Sequence, residues 1–151
     1  MVLVALISWM MTVSAGLYLL AIWLIEYDVS APGGAVTRLP RTVISGHGVL
    51  ASSGLVVWIG YLILDRDMLA WIALATLGAV ILLGLTMLGR WIIVRRTLGA
   101  ALRARPRDAF ARSRAAAPAE SHFPVPVVVA HGVLATSTVL LVLLTTLGVG
   151  G

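Results

Sequence analysis

Four long apolar stretches leave this chain few ways to fold. Each one reaches the roughly 20 residues that an α-helix needs to cross a bilayer, and only helices and closed barrels satisfy their backbone polar groups in lipid. Charged residues make up 11% of the chain, against about a quarter in soluble domains. We therefore predict an all-α integral membrane protein, with residues 1–151 forming one up-and-down four-helix bundle. The expected helices cover about residues 2–27, 41–64, 68–94 and 125–147.

The distribution of arginine predicts how the bundle is oriented. The net charge of +5 comes from arginine, since the chain has no lysine. Most of the arginines fall in a predicted loop at about residues 95–123, between the third and fourth helices: Arg95, Arg96, Arg103, Arg105, Arg107, Arg112 and Arg114. Positive loops stay in the cytoplasm, so we expect this loop inside and both termini outside. The high pI then reflects topology, and no nucleic acid partner is expected.

Composition also narrows the compartment and the chemistry. Arginine without lysine, with abundant alanine and valine, is typical of a GC-rich bacterial genome, which favours a bacterial inner membrane. The chain has no cysteine, so disulfides, iron–sulfur clusters, thiolate zinc sites and covalently attached haem are excluded. No catalytic triad, phosphate-binding loop or carboxylate pair is found in the sequence. We therefore predict no independent catalytic site.

One short phrase occurs twice. Residues 46–53 have the sequence Gly-His-Gly-Val-Leu-Ala-Ser-Ser, and residues 130–137 have Ala-His-Gly-Val-Leu-Ala-Thr-Ser. Only His47 and His131, among the histidines, lie inside apolar runs, each about six residues into a predicted helix. The offset between the two phrases divides the chain into two repeated helical hairpins. A parallel repeat places helices two and four on a diagonal, with the two histidines at equal depth.

Two histidines in this setting predict a ligand site. An ionisable side chain is costly in hydrocarbon and is a functional-site hypothesis by default. At equal depth on diagonal helices, two imidazoles can hold one haem iron on the bundle axis. Gly48 and Gly132 would leave room for the macrocycle, although small residues also let helices pack closely. Arg90 and Arg41 are candidates for binding the haem propionates, with snorkelling to lipid phosphate as the alternative for Arg90.

Nearby hydroxyls have two possible roles. Each hydroxyl could bond to the second nitrogen of an imidazole and so orient the ring. It could instead bond to the backbone of its own helix, which is more common for any single hydroxyl. The hydroxyls concerned are Ser45, Ser52, Thr136 and Ser137. Met10, Met11 and Met87 could in principle bind iron, but methionines in apolar helices more often serve in packing.

The pattern resembles membrane b-type cytochromes that are four-helix bundles with a bis-histidine haem, many of which carry their ligands on the second and fourth helices. The resemblance rests on the architecture and on His47 and His131. It implies one haem b, with both imidazoles as axial ligands to the iron. It also implies an electron-transfer subunit or anchor between a partner enzyme or respiratory complex and the quinone pool. Unlike the cytochrome b of quinol-oxidising complexes, the chain has one histidine in each ligating helix.

Other interpretations remain open at this point. The histidines could pack helices in a non-redox accessory subunit of a larger membrane complex. They could instead hold two chlorophyll-like pigments, one histidine to each magnesium. Proton or metal transport is a further possibility, although no acidic residue lies deep in a predicted span, where transporters usually place one.

Overall fold

The computed structural model describes residues 1–27, 37–103 and 118–149. Four α-helices are present in these residues, and a short 3-10 helix, Ala119–His122, comes before the last one. All four α-helices are long and apolar enough to cross a membrane. The prediction of an all-α four-helix bundle is therefore confirmed, and the helices are those of a multi-pass membrane protein. The helices are α1 (Val2–Glu26), α2 (Arg41–Leu64), α3 (Asp67–Arg103) and α4 (Val125–Thr146).

Proline begins two of these helices, and a left-handed residue ends one of them. Pro40 and Pro124 are the N-terminal capping residues of α2 and α4, where the missing N–H costs nothing because the first helical donors have no partner within the helix. α2 ends at Asp65, which has a φ of 49° and donates its backbone N–H to the Tyr61 carbonyl at 2.9 Å. Because α3 begins two residues later, α2 and α3 are antiparallel neighbours.

The third helix is longer than the sequence analysis predicted. It ends at Arg103 and not at Val94, so the first part of the predicted 95–123 loop is helical. The physical reason is that residues 95–105 contain no proline, and the arginine, leucine and alanine residues among them are all good helix formers. Four arginines of the predicted loop lie outside the described residues: Arg105, Arg107, Arg112 and Arg114.

Helix packing divides the bundle into two tight pairs. The most extensive contacts join α2 to α3 and α1 to α4, while α1–α2 and α3–α4 contacts are sparse. α2 and α4 therefore lie on a diagonal, as predicted. The hairpins that repeat in sequence, α1–α2 and α3–α4, are not the units that pack most closely. We call the boundary between the α2–α3 pair and the α1–α4 pair the seam.

Two hydrophobic clusters fill the bundle, one towards each end. The first is centred on Trp9 and Trp58, whose ring centroids are 6.4 Å apart. The second contains Trp23, Trp91 and Phe123. It lies where α1 ends and α2 begins, which we call the arginine-rich end because Arg38, Arg41, Arg90 and Arg95 are there. Many large apolar side chains on the outer faces are exposed, as contact with lipid requires.

Candidate functional site

The structure brings the two predicted histidines together. His47 lies six residues into α2, and His131 lies six residues into α4. Both are half-buried, and their ring centroids are 6.3 Å apart with an angle of 61° between the ring planes. Because His47 belongs to the α2–α3 pair and His131 to the α1–α4 pair, the two imidazoles approach each other across the seam.

A backbone carbonyl of the neighbouring helix anchors each imidazole. The Nδ1 atom of His47 lies 3.1 Å from the Val80 carbonyl oxygen in α3, and the Nδ1 atom of His131 lies 3.0 Å from the Thr12 carbonyl oxygen in α1. A carbonyl can only accept, so Nδ1 carries the proton and donates it in each bond. In a neutral imidazole the lone pair is then on Nε2, the atom left for a metal.

Within the described residues, the hydrogen bonds of the two imidazoles involve Nδ1 and leave Nε2 unbonded. In the described chain, the side-chain atoms that are completely buried and have no hydrogen-bond partner are Trp58 Nε1 and Trp91 Nε1. The two histidine Nε2 atoms are not among them. Both Nε2 atoms are therefore at least partly accessible.

A glycine lies against each imidazole. A Cβ atom added to Gly16 would be 3.1 Å from His131 Cε1, and one added to Gly84 would be 3.2 Å from His47 Cε1. Each glycine comes four residues after the carbonyl that anchors the same ring, Thr12 or Val80. One turn of α1 and one turn of α3 thus position the histidines in the same way.

Sequence analysis missed these two glycines, although a second repeat contains them. The pattern Gly-Leu-x-x-Leu-x-x-Trp-x-Ile occurs at residues 16–25 and again at residues 84–93. Its two copies are closer together in the chain than the two copies of the histidine phrase. α3 extends further past Gly84 than α1 does past Gly16, and the connection from α3 to α4 is longer than the one from α1 to α2. A single shift of the sequence therefore cannot align both repeats.

The predicted glycines beside the histidines have a different environment. No atom beyond the helix's own backbone lies within 4 Å of a Cβ added to Gly48 or Gly132. Gly132 lines a groove of about 630 Å³ between α3 and α4, together with apolar residues such as Leu88 and Val128. This α3–α4 groove opens where the contact between the two tight pairs is sparse.

The two predicted arginines lie at the arginine-rich end and bond to the chain itself. Arg90 is exposed, and its Nη1 atom donates to the Arg38 carbonyl at 2.9 Å. Arg41 is also exposed, donates to the Tyr27 hydroxyl, and holds its guanidinium carbon 4.9 Å from the centroid of that ring. A role of either arginine in binding propionate stays a prediction.

Two of the predicted hydroxyls satisfy their own helices. Ser45 donates to the Arg41 carbonyl and Thr136 donates to the Gly132 carbonyl, each at 2.9 Å and four residues back. Backbone carbonyls, rather than these hydroxyls, therefore orient the imidazoles.

A buried carboxylate closes the arginine-rich end and was not predicted. Glu120 is fully buried and accepts from the Thr37 hydroxyl at 3.0 Å and the Arg38 backbone N–H at 2.8 Å. The Thr37 hydroxyl in turn accepts from Trp23 Nε1 at 3.2 Å. This Glu120 clasp ties the segments that precede α2 and α4 to α1. The only signal in the sequence that Glu120 is buried is the presence of the apolar residues Ala119 and Phe123 near it.

The comparisons with known proteins leave the site to be judged on its geometry. No family model, curated protein or solved structure matches the chain. Within the described residues, no group of three or more His, Cys, Asp or Glu side chains could hold a metal ion. A metal bound by side chains alone usually takes three or four of them as ligands. A haem iron needs only one or two side chains, because the porphyrin supplies its other ligands. The fold and the site define a four-helix membrane bundle with a diagonal pair of histidines.

Proposed function

We propose that this protein is a membrane b-type cytochrome that binds one haem b between His47 and His131. The distance between the imidazoles carries the proposal. Metal–imidazole bonds of about 2.0–2.1 Å, formed from opposite sides of one metal, put the ring centroids about 6 Å apart. The observed separation is 6.3 Å. Each ring can rotate about its own metal–nitrogen bond, so the angle of 61° is compatible with this arrangement.

The second ring nitrogen supports the same proposal. Metal-bound histidines almost always donate their other N–H to a carbonyl, carboxylate or water, which fixes the ring and raises its basicity. His47 and His131 both do so, to Val80 and Thr12 respectively. The chain therefore has its ligand orientation in place, and Gly16 and Gly84 allow the rings to lie close to the neighbouring helices.

An apolar groove beside the histidines also supports the proposal. The seam is bounded on opposite sides by the two imidazoles, and the α3–α4 groove opens at its edge beside Gly132. Ligand pockets of about 300–1,000 Å³ are usual for small molecules and cofactors. The groove is lined mostly by apolar side chains, such as Leu85, Leu88 and Val133, which suit the apolar edge of a macrocycle.

The proposed activity is electron transfer. When bound, the haem would supply a one-electron couple, and His47 and His131 would be the residues that hold its iron. The chain's own part would be to hold the iron through the two histidines, which the Val80 and Thr12 carbonyls orient. We propose that it passes electrons between a partner enzyme or respiratory complex and the quinone pool of a bacterial inner membrane, with the arginine-rich end in the cytoplasm.

A second candidate function follows from the same hydrogen bonds. His47 ties α2 to α3 and His131 ties α4 to α1, and this packing role needs no cofactor. A non-redox accessory subunit of a larger membrane complex would use the histidines in this way.

Spectroscopy of the purified full-length chain separates the two functions. From haem-replete cells, the cytochrome is expected to be red and to show a low-spin spectrum that His47→Gly or His131→Gly abolishes. Added imidazole is expected to restore the spectrum, because it replaces the lost ligand but not the lost helix contact. His122→Gly is the control, since His122 is an exposed residue near Glu26. A colourless preparation would support the accessory subunit.

A further inference from the structure

Two tryptophans at equivalent places in the repeat differ in their hydrogen bonds. Trp23 and Trp91 are the tryptophans of the Gly-Leu-x-x-Leu-x-x-Trp-x-Ile pattern, and both belong to the cluster at the arginine-rich end. Trp23 Nε1 donates to the Thr37 hydroxyl. Trp91 Nε1 is completely buried and has no partner among the residues that the structure describes. An indole N–H can only donate, and leaving it unpaired in the interior is costly.

Trp91 lies on the helix that anchors His47, between the histidine level and the arginine-rich end. It is seven residues beyond Gly84, which contacts the His47 ring, and this spacing corresponds to about 10 Å of helix rise. Trp91 also lines the α3–α4 groove, as Gly132 does beside His131. Haem is apolar except for its two propionates, which project from one edge of the ring. The groove thus has an apolar wall, and the unpaired Trp91 N–H lies buried within that wall towards the arginine-rich end.

A cation lies beside the same indole. The guanidinium carbon of Arg95 is 5.2 Å from the centroid of the Trp91 ring, and Arg95 Nη1 donates to the Phe123 carbonyl at a long 3.4 Å. Arg95 is exposed, so its side chain can turn towards an anion at little cost. A donor and a nearby positive charge together suit a carboxylate.

We propose that Trp91 Nε1 donates a hydrogen bond to a haem propionate, with Arg95 as the neighbouring cation. The propionates then lie on the α3–α4 side of the bundle. On the α1–α2 side the equivalent donor, Trp23, is already bonded within the Glu120 clasp. This inference rests on the proposed haem site and assigns the orientation of the ring within it.

The test compares two haems in the full-length protein. Apoprotein in detergent is reconstituted with haem b or with its dimethyl ester, which has no propionate charge, and transfer of the haem to apomyoglobin is timed. Trp91→Phe is expected to speed the loss of haem b about tenfold or more, because a hydrogen bond to a charged group is removed. The loss of the ester is expected to change much less. Replacing Trp91 with benzothienylalanine removes only the N–H and should give the same result without disturbing the packing.

Trp23→Phe is the control, because its N–H bonds to Thr37 and not to the cofactor. It is expected to affect the loss of both haems equally. The assignment is wrong if the two Trp91 variants leave the loss of haem b unchanged, or if they speed the loss of both haems to the same extent. Failure of the wild-type chain to bind either haem would instead overturn the haem site itself.

Discussion

Each imidazole lies between a backbone carbonyl and a bare glycine on one turn of the neighbouring helix. The carbonyl fixes which nitrogen carries the proton, and the glycine sets how deep the ring can lie. His47 and His131 have this environment separately, from α3 and α1. The two sequence repeats thus give both histidines the same environment, and this matched pair supports the proposal of a shared ligand.

At Gly84 a single methyl group should disturb the site. The added Cβ of Gly84→Ala would lie 3.2 Å from His47 Cε1, so the ring must shift by a few tenths of an ångström. We expect faster haem loss and a weaker low-spin spectrum, measured on the purified protein.

Gly78→Ala on the same helix is the matched control, because its Cβ meets no atom within 4 Å. It should leave the spectrum unchanged and stabilise the helix by up to about 1 kcal/mol. Identical behaviour of the two variants would contradict the positioning role of Gly84.

At the scale of the element, close approach between helices is set by small residues at a few positions. A Cβ on Gly54 would lie 2.9 Å from Trp9 Cζ2 and 3.2 Å from Thr76 Cγ2. The equivalent residue in the repeated histidine helix is Thr138, whose hydroxyl lies 2.8 Å from the Ser8 hydroxyl of α1. The two tight pairs therefore use related positions with different chemistry.

Gly54→Ala is expected to destabilise the fold by about 1–3 kcal/mol, because the rigid indole of Trp9 cannot move aside without strain. Thermal unfolding in detergent is the measurement. Gly60→Ala on the same helix is the control, since its Cβ would make an ordinary contact 3.7 Å from Leu69 Cδ1. Equal stability of the two variants would show that α2 has room to move at Gly54.

The Glu120 clasp gives a second test at this scale. Glu120→Ala leaves the Arg38 N–H and the Thr37 hydroxyl without their acceptor, which should cost about 1–3 kcal/mol. Glu26→Ala is the control: this acid is exposed and lies 3.5 Å from His122, so the loss should stay within about 1 kcal/mol. Thermal unfolding checks both variants, and a Glu120→Ala protein as stable as wild type would rule out a structural role for the clasp.

Features of the fold and the site that depend on a pattern within the sequence could be predicted, and features that depend on contacts between helices could not. The four spans followed from apolar length, and the meeting of His47 and His131 followed from a phrase repeated at the same depth in two helices. The role of Gly16 and Gly84 could not be found in that way, because their repeat has a different interval. The end of α3 was misplaced because the apolar stretch ends at Val94, before Arg95, but the helix itself continues to Arg103. The tight α2–α3 pairing depends on contacts such as Gly54 with Thr76, which no hydrophobic period encodes.

At the scale of the whole molecule, the two tight pairs and the seam determine what the bundle can hold. Each pair carries its own anchored imidazole, and the ring centroids are 6.3 Å apart across the seam. The apolar outer faces position the bundle in lipid. The molecule thus presents two imidazoles to its interior, while its exterior is apolar enough to contact lipid.

Orientation in the membrane is a separate prediction. Positively charged ends stay in the cytoplasm, so a reporter fused after Arg103 should be active there, and one fused to the N-terminus should be active outside. Fusions at the Asp65 turn serve as the control, because that turn is at the opposite end from the arginines. The reverse pattern of reporter activity would invert the proposed topology but leave the haem site untouched.

The most direct test of the central claim is a reduced-minus-oxidised absorption spectrum of the purified chain, taken from cells with ample haem. We predict a Soret band that shifts sharply on reduction and low-spin bands that require both His47 and His131. A chain without these bands, or one whose bands survive loss of either histidine, would contradict bis-histidine haem binding.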